Sequence, residues 1–250
     1  MNRTRIAFGL LAMIFLAGCY EDDMSVTAQA TEPTLSLAGF YSWPTGQAEG
    51  VDLETVGRDN IVIVVDRSGS MADRVCEGDG SLSDNTISAL QSFIPNIPES
   101  TAVGYVDFGS GVEIRVPLGI DNRRSLMDAA ANHSSDMGGT NLTDAVEVAY
   151  GMLEQQALIQ SSTGTYRMVI VTDGAANSGR TLSAALDRVN TTPVEVMTAG
   201  FCIGENHILN QPMDTVYVPA SNVTQLVTFL TASLQQESPD FILDFQGSSP

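Results

Sequence analysis

Beyond the first twenty residues, Ile61-Val62-Ile63-Val64-Val65 and Met168-Val169-Ile170-Val171 are apolar without interruption. Neither alternates with polar residues, the pattern of a strand covered on both faces. Elsewhere apolar positions recur at helical spacing. Ile87, Leu90, Ile94 and Ile97 form one such row, ended by Pro95 and Pro98. Leu142, Ala145, Val146, Ala149, Met152 and Leu153 form a second, Leu182, Ala185, Leu186 and Val189 a third, and Val223, Leu226, Val227, Leu230 and Leu234 a fourth. Arg123–Asn132 reads as a further short helix. Thr101–Phe108, Val194–Thr198 and Thr215–Val218 read as strands. After the turn Gly109-Ser110-Gly111, Val112, Ile114, Val116 and Leu118 alternate with Glu113, Arg115 and Pro117. That predicts a half-exposed edge strand, hairpinned to the one before it. Strands alternating with helices predict an α/β domain over residues 59–235, with an open, mostly parallel sheet, one antiparallel edge strand and helices on both faces. No internal repeat is present.

The two ends read differently. Arg3 and Arg5 open a basic start, and Ile6 to Leu16 is an apolar run within the signal-peptide range and too short to span a bilayer. It ends in Leu16-Ala17-Gly18-Cys19, which resembles the bacterial lipoprotein processing box. That resemblance implies cleavage of residues 1–18 and lipidation of Cys19. Each buried methylene contributes ~0.8 kcal/mol, and firm anchoring takes more than one chain. Tyr20, where Asp would mark inner-membrane retention, points to the outer membrane. Residues 19–58 are rich in Thr, Ser, Ala, Gln, Gly and Pro and are expected to form a flexible tether, within which Leu35 to Trp43 is apolar enough to pack on the domain. Residues 236–250 are a tail.

Composition narrows the partners. The chain has 250 residues, 43% of them hydrophobic, enough to bury a full core without a structural metal. Its formal charge is −19, with 11 basic residues that are all Arg. Loss of residues 1–18 removes Arg3 and Arg5 and no acid, taking the charge to −21. This argues against nucleic acid and against a polybasic membrane contact. Beyond Cys19 the cysteines are Cys76 and Cys202. The export signal implies an oxidising compartment in which they can form a disulfide, with two buried thiols as the alternative.

The candidate chemistry sits where the two apolar strands end. Asp66-Arg67-Ser68-Gly69-Ser70 follows the first and Thr172-Asp173-Gly174 the second, while Gly138-Gly139-Thr140-Asn141-Leu142 opens a helix between them. In open parallel sheets ligands bind beyond the carboxyl ends of the strands, where the strand order reverses. Asp66, Ser68, Ser70, Thr140 and Asp173 offer small oxygen donors suited to a hard cation, Mg²⁺ or else Mn²⁺ or Ca²⁺. Two carboxylates balance a dication, and the hydroxyls leave it electrophilic. The site reads as a receptor for a Glu or Asp carboxylate of a partner protein or peptide.

These strings resemble the von Willebrand factor type A domain, whose metal-ion-dependent adhesion site has the pattern Asp-x-Ser-x-Ser, a distant Thr and a distant Asp. All five positions match as Asp66, Ser68, Ser70, Thr140 and Asp173. The resemblance spans about residues 59–235. It implies the Rossmann-like sheet of that family, direct metal contact by Ser68, Ser70 and Thr140, and contact by Asp66 and Asp173 largely through water. The leading expectation is a membrane-anchored, metal-dependent protein-binding module of the cell envelope, not an enzyme. The alternative is an adaptor or assembly factor of an envelope machine working with an AAA-type ATPase. A hydrolase would need a general base at the ion. Only His133 and His207 are available, and each is expected to be a surface or capping residue.

Overall fold

The computed structural model describes residues 43–44, 50, 52–135, 138–174, 179–204, 208–210 and 215–235. The signal segment, Cys19, the upstream part of the tether, His207 and the tail 236–250 lie outside the described residues.

Six strands form one sheet: β1 (Asn60–Asp66), β2 (Ala102–Phe108), β3 (Val112–Gly119), β4 (Tyr166–Thr172), β5 (Val194–Phe201) and β6 (Thr215–Ala220). Their order is β3-β2-β1-β4-β5-β6. Only β3 runs antiparallel, against β2, as the alternating Val112–Leu118 pattern predicts. Every residue of β1, β2 and β4 is buried. Helices α1 (Leu82–Phe93), α2 (Arg123–Ala131), α3 (Leu142–Ile159), α4 (Gly179–Asn190) and α5 (Val223–Ala232) supply the cover. Ile61, Ile63 and Val65 join Leu90, Leu126 and Phe229 on one face, while Val62 and Val64 join Val146, Leu153 and Leu186 on the other. The side-chain period of two in a strand thus divides β1 between two cores. Among the described residues no helix is long and apolar enough to cross a membrane.

Local signals place the helix starts. Ser81 Oγ accepts from the Asp84 N–H at 3.1 Å while Asp84 Oδ2 accepts from the Ser81 N–H at 3.0 Å, a reciprocal cap for α1. Asn222 caps α5 by accepting from the Gln225 N–H at 3.0 Å. At the other end of α1, Pro95 stands in a 3-10 turn over Ile94–Asn96, so Ile94 and Ile97 stay buried beyond the α-helix itself.

The last two strands run past the sequence reading, β5 to Phe201 and β6 to Ala220. β5 continues three residues past Thr198 because its small residues admit a neighbour. A Cβ on Gly200 would lie 1.9 Å from Tyr217 Oη, and that hydroxyl donates to Gly204 O at 2.9 Å. Hydrogen bonding also begins upstream of residue 59. The Asp52 N–H donates to Ile159 O at 3.0 Å, the Gly57 N–H donates to Thr163 Oγ1 at 2.9 Å, and Trp43 is buried edge-on to Tyr166 with ring centroids 4.9 Å apart. The turn before β4 depends on a glycine. Gly164 has φ +86°, and a Cβ there would lie 2.1 Å from Arg58 O. That carbonyl is held in place by donors from Asn60 and Gln160. Gly164→Ala is therefore expected to cost about 3 kcal/mol or more, from left-handed strain plus backbone overlap. Urea denaturation would read the loss, and an unchanged midpoint would refute it.

Candidate metal centre

The chain leaves β1 toward β2 on one side and returns to β4 on the other, so the order reverses between β1 and β4. Asp66 closes β1 and Asp173 follows β4 directly. Asp66 is fully buried and both of its oxygens are engaged. Oδ1 accepts from the Ser68 N–H at 2.8 Å, and Oδ2 accepts from Thr172 Oγ1 at 2.6 Å. This turn leads into a short 3-10 segment, Gly69–Ala72. Its tight winding places Ser68 Oγ 3.2 Å from Ser70 Oγ, and Ser70 Oγ donates to Asp173 Oδ1 at 2.9 Å. Asp66 and Ser68 form the floor, and Ser70 is exposed at the mouth.

The segment carrying Thr140 is docked on this turn by its neighbours. The Gly69 N–H donates to Gly138 O at 3.1 Å, Ser135 Oγ donates to Ser68 O at 2.8 Å, and the Asn141 N–H donates to Gly109 O at 3.0 Å. Thr140 lies half-buried between these anchors, two residues before α3 begins. Four of the five expected site residues are joined in one hydrogen-bonded chain, and the fifth is carried on a loop tied to that chain.

The electrostatics of the cluster are those of crowded carboxylates. Burial raises the pKa of Asp66, opposed by the donors from Ser68 and Thr172. Asp173 is pushed up to about 6, first by burial and then by the Asp66 carboxylate, against the Ser70 hydroxyl. Among the described residues no group of three or more His, Cys, Asp or Glu side chains is placed to hold an ion. The donor set here is two carboxylates with hydroxyls, which suits a hard cation of octahedral preference and not zinc.

His133 is not the surface or capping residue expected of it. It is 4% exposed, in the loop after α2. Its pKa is pushed down to about 4, by burial first and then by the Arg67 charge, against a contact with the Asp66 main chain. It is neutral at pH 7 and turned toward the protein interior, with none of the solvent access a general base for an incoming substrate needs. The sequence reading also gave no part to Thr172, whose hydroxyl orients Asp66. The only signal for it was its place directly before Asp173.

The rim carries a disulfide. Cys76 and Cys202, whose pairing the sequence left open, are bonded with Cα atoms 5.7 Å apart. The loop bearing Cys76 is also fastened to the β6–α5 corner, where the Glu77 N–H donates to Ser221 O at 3.1 Å and Asn222 Nδ2 donates to Glu77 Oε2 at 3.1 Å.

Residues 61–175 match the family model of the von Willebrand factor type A domain. No curated protein matches the chain. Solved structures similar to it include BatB from Bacteroides thetaiotaomicron, 14% identical with a TM-score of 0.53, covering 70% of this chain and 97% of that one. The manganese-loaded TRAP protein of Plasmodium vivax is 18% identical with a TM-score of 0.55, covering 71% of this chain and 74% of that one. The PilB minor pilin from Streptococcus sanguinis is 16% identical with a TM-score of 0.55, covering 82% and 64%. At these identities the likeness is one of fold. Residues 61–175 thus match the von Willebrand factor type A domain by sequence, and the six-stranded, mostly parallel sheet that carries them is the Rossmann-like fold of that domain.

Proposed function

We propose that this domain is a binding module and not an enzyme. It holds Mg²⁺, or else Mn²⁺ or Ca²⁺, on Ser68, Ser70 and Thr140 with Asp66 and Asp173 behind them, and takes a Glu or Asp carboxylate of a partner protein at the ion's open position. The observation that carries this reading is the run of contacts from Asp66 through Ser68 and Ser70 to Asp173. It brings two carboxylates close enough that one raises the pKa of the other, a strain that a dication relieves. The fold neighbours include a manganese-loaded protein and a minor pilin, which agrees with a metal-assisted binding role. With the Leu16–Cys19 box, the reading places the module on a lipid anchor at the outer membrane of a bacterial envelope. The acidic surface would repel acidic partners everywhere except at the ion, so the metal is the local attractor.

The test is thermal. A single-site ligand at about 100 times its dissociation constant adds ~2.7 kcal/mol. For a domain of this size that is roughly 5–10 °C in melting temperature. Millimolar Mg²⁺ or Mn²⁺, with an acidic peptide present to fill the open position, should produce that shift, and Thr140→Ala should erase it while the metal-free melt stays in place. Identical melts with metal and with chelator would overturn the proposal.

A further inference from the structure

Arg67 stands between two candidate ligands, Asp66 and Ser68, and contributes no oxygen to the site. It is nevertheless held from two directions. Its main-chain N–H donates to Phe108 O at 2.7 Å, which carries the β1–β2 pairing one residue past the end of β1. Its guanidinium reaches β2 and β3, with Nη1 3.5 Å from Asp107 Oδ1 and 3.7 Å from Glu113 Oε2. Arg115 approaches the other Asp107 oxygen, with Nε 3.9 Å from Oδ2. The Asp107 side chain is only 4% exposed, and in the sheet it lies across from Val65 of β1 on one side and Glu113 of β3 on the other. Burial raises its pKa, and the charges of Arg67 and Arg115 oppose that rise. His133 is buried near enough for the Arg67 and Arg115 charges to lower its pKa.

A buried ion pair is weak evidence for stability, because desolvation offsets most of the attraction, and its best-attested use is to fix geometry. Here one partner of the pair belongs to the turn in which small displacements matter most. A metal site needs its ligands held within about 0.5 Å by groups that are themselves locked. Contacts to this turn also come from main-chain groups, from hydroxyls and from the Asp173 carboxylate. Asp107 is a buried charge that grips the side chain between Asp66 and Ser68.

We propose that Asp107 is a positioning residue for the metal site: by holding Arg67 it fixes the turn from which Asp66, Ser68 and Ser70 reach the cation. The inference rests on the metal-binding reading above and goes beyond it by assigning a support that the five-residue motif does not contain. Loss of a partner that orients metal ligands costs about 10–100-fold in affinity.

The experiment is calorimetric titration of Mn²⁺ into the purified domain, paired with melting in chelator. Asp107→Asn and Arg67→Met should each weaken Mn²⁺ binding about tenfold or more, and the double variant should be no weaker than the worse single one, because the two act through one contact. Arg67→Lys, which keeps the charge, should recover part of the loss. Glu195→Gln serves as the structural control. It breaks the 2.8 Å pair with the buried Arg167 near the opposite end of the strands, so it should lower the melting temperature and leave Mn²⁺ affinity alone. Variants at 107 and 67 that melt lower yet bind Mn²⁺ as the wild type does would overturn the proposal. Should Asp107→Asn not fold, the Arg67→Met and Arg67→Lys pair decides the question. A wild-type domain that binds no Mn²⁺ would instead overturn the metal-binding reading, and this inference with it.

Discussion

Asp66→Asn is expected to abolish the response to Mg²⁺ while leaving the metal-free domain at least as stable as the wild type. Asp66 is fully buried, and burial raises its pKa. A carboxyl whose folded pKa exceeds its unfolded value binds its proton more tightly in the folded state, so its ionisation lowers stability as pH rises from the unfolded pKa through the folded one. Once ionised, the carboxylate opposes folding until a cation balances it. Asparagine keeps the shape and an oxygen for the Ser68 N–H. Thr172 Oγ1 can accept from the new amide and turn its own proton to Gly174 O, 3.2 Å away. Alanine behaves differently. Asp66→Ala leaves the Ser68 N–H buried without its acceptor and the Thr172 hydroxyl with the longer contact to Gly174 O, and should cost roughly 2–4 kcal/mol. Urea titrations in chelator and in millimolar Mg²⁺ separate the two variants. An Asn variant that still gains stability from Mg²⁺ would remove Asp66 from the site, and with it the role of the β1 terminus.

The difference between these variants shows where the sequence was readable and where it was not. The nearness of the candidate oxygen donors to one another was legible because each lies at the end of an uninterrupted apolar strand or at the start of a helical stripe. Such strands in an α/β pattern point their carboxyl ends to one edge of the sheet. The antiparallel position of β3 was legible from the strict alternation of Val112 to Leu118 and from Pro117, which cannot serve an interior strand. Thr172 was not legible in its role, because its contact with Asp66 depends on the register of β1 against β4 across 106 residues of chain. His133 was misplaced for a related reason. No periodicity near residue 133 indicates that this position of the loop after α2 is buried. The extension of β5 through Ala199 and Gly200 was hidden because small residues lower strand propensity, and their use appears only when Tyr217 is seen to cross Gly200.

Removing the disulfide is expected to have the largest effect on stability. Cys76 and Cys202 are 126 residues apart, and a cross-link of that span restricts the unfolded chain by about 5 kcal/mol in the loop-closure treatment, with 2–5 kcal/mol the usual measured loss. The loop bearing Cys76 keeps its bonds to Ser221 and Asn222 when the cross-link is cut, so the folded state of a Cys76→Ser/Cys202→Ser variant should persist and melt roughly 5–15 °C lower. The backbone at Cys202 adds a second, separable effect. Its φ is +60°, a left-handed conformation that costs an L-residue about 1–2 kcal/mol and glycine almost nothing. In the folded protein the disulfide and the Cys202 N–H bond to Ala220 O at 2.8 Å keep the residue there. Cys76→Ser/Cys202→Gly should therefore be more stable than the double serine variant by about 1 kcal/mol, despite the glycine's greater freedom when unfolded. Coincident melts for oxidised wild type, reduced wild type and the double serine variant would show that the cross-link contributes nothing. A glycine variant no better than the serine one would show that the turn at residue 202 relaxes once the sulfurs part.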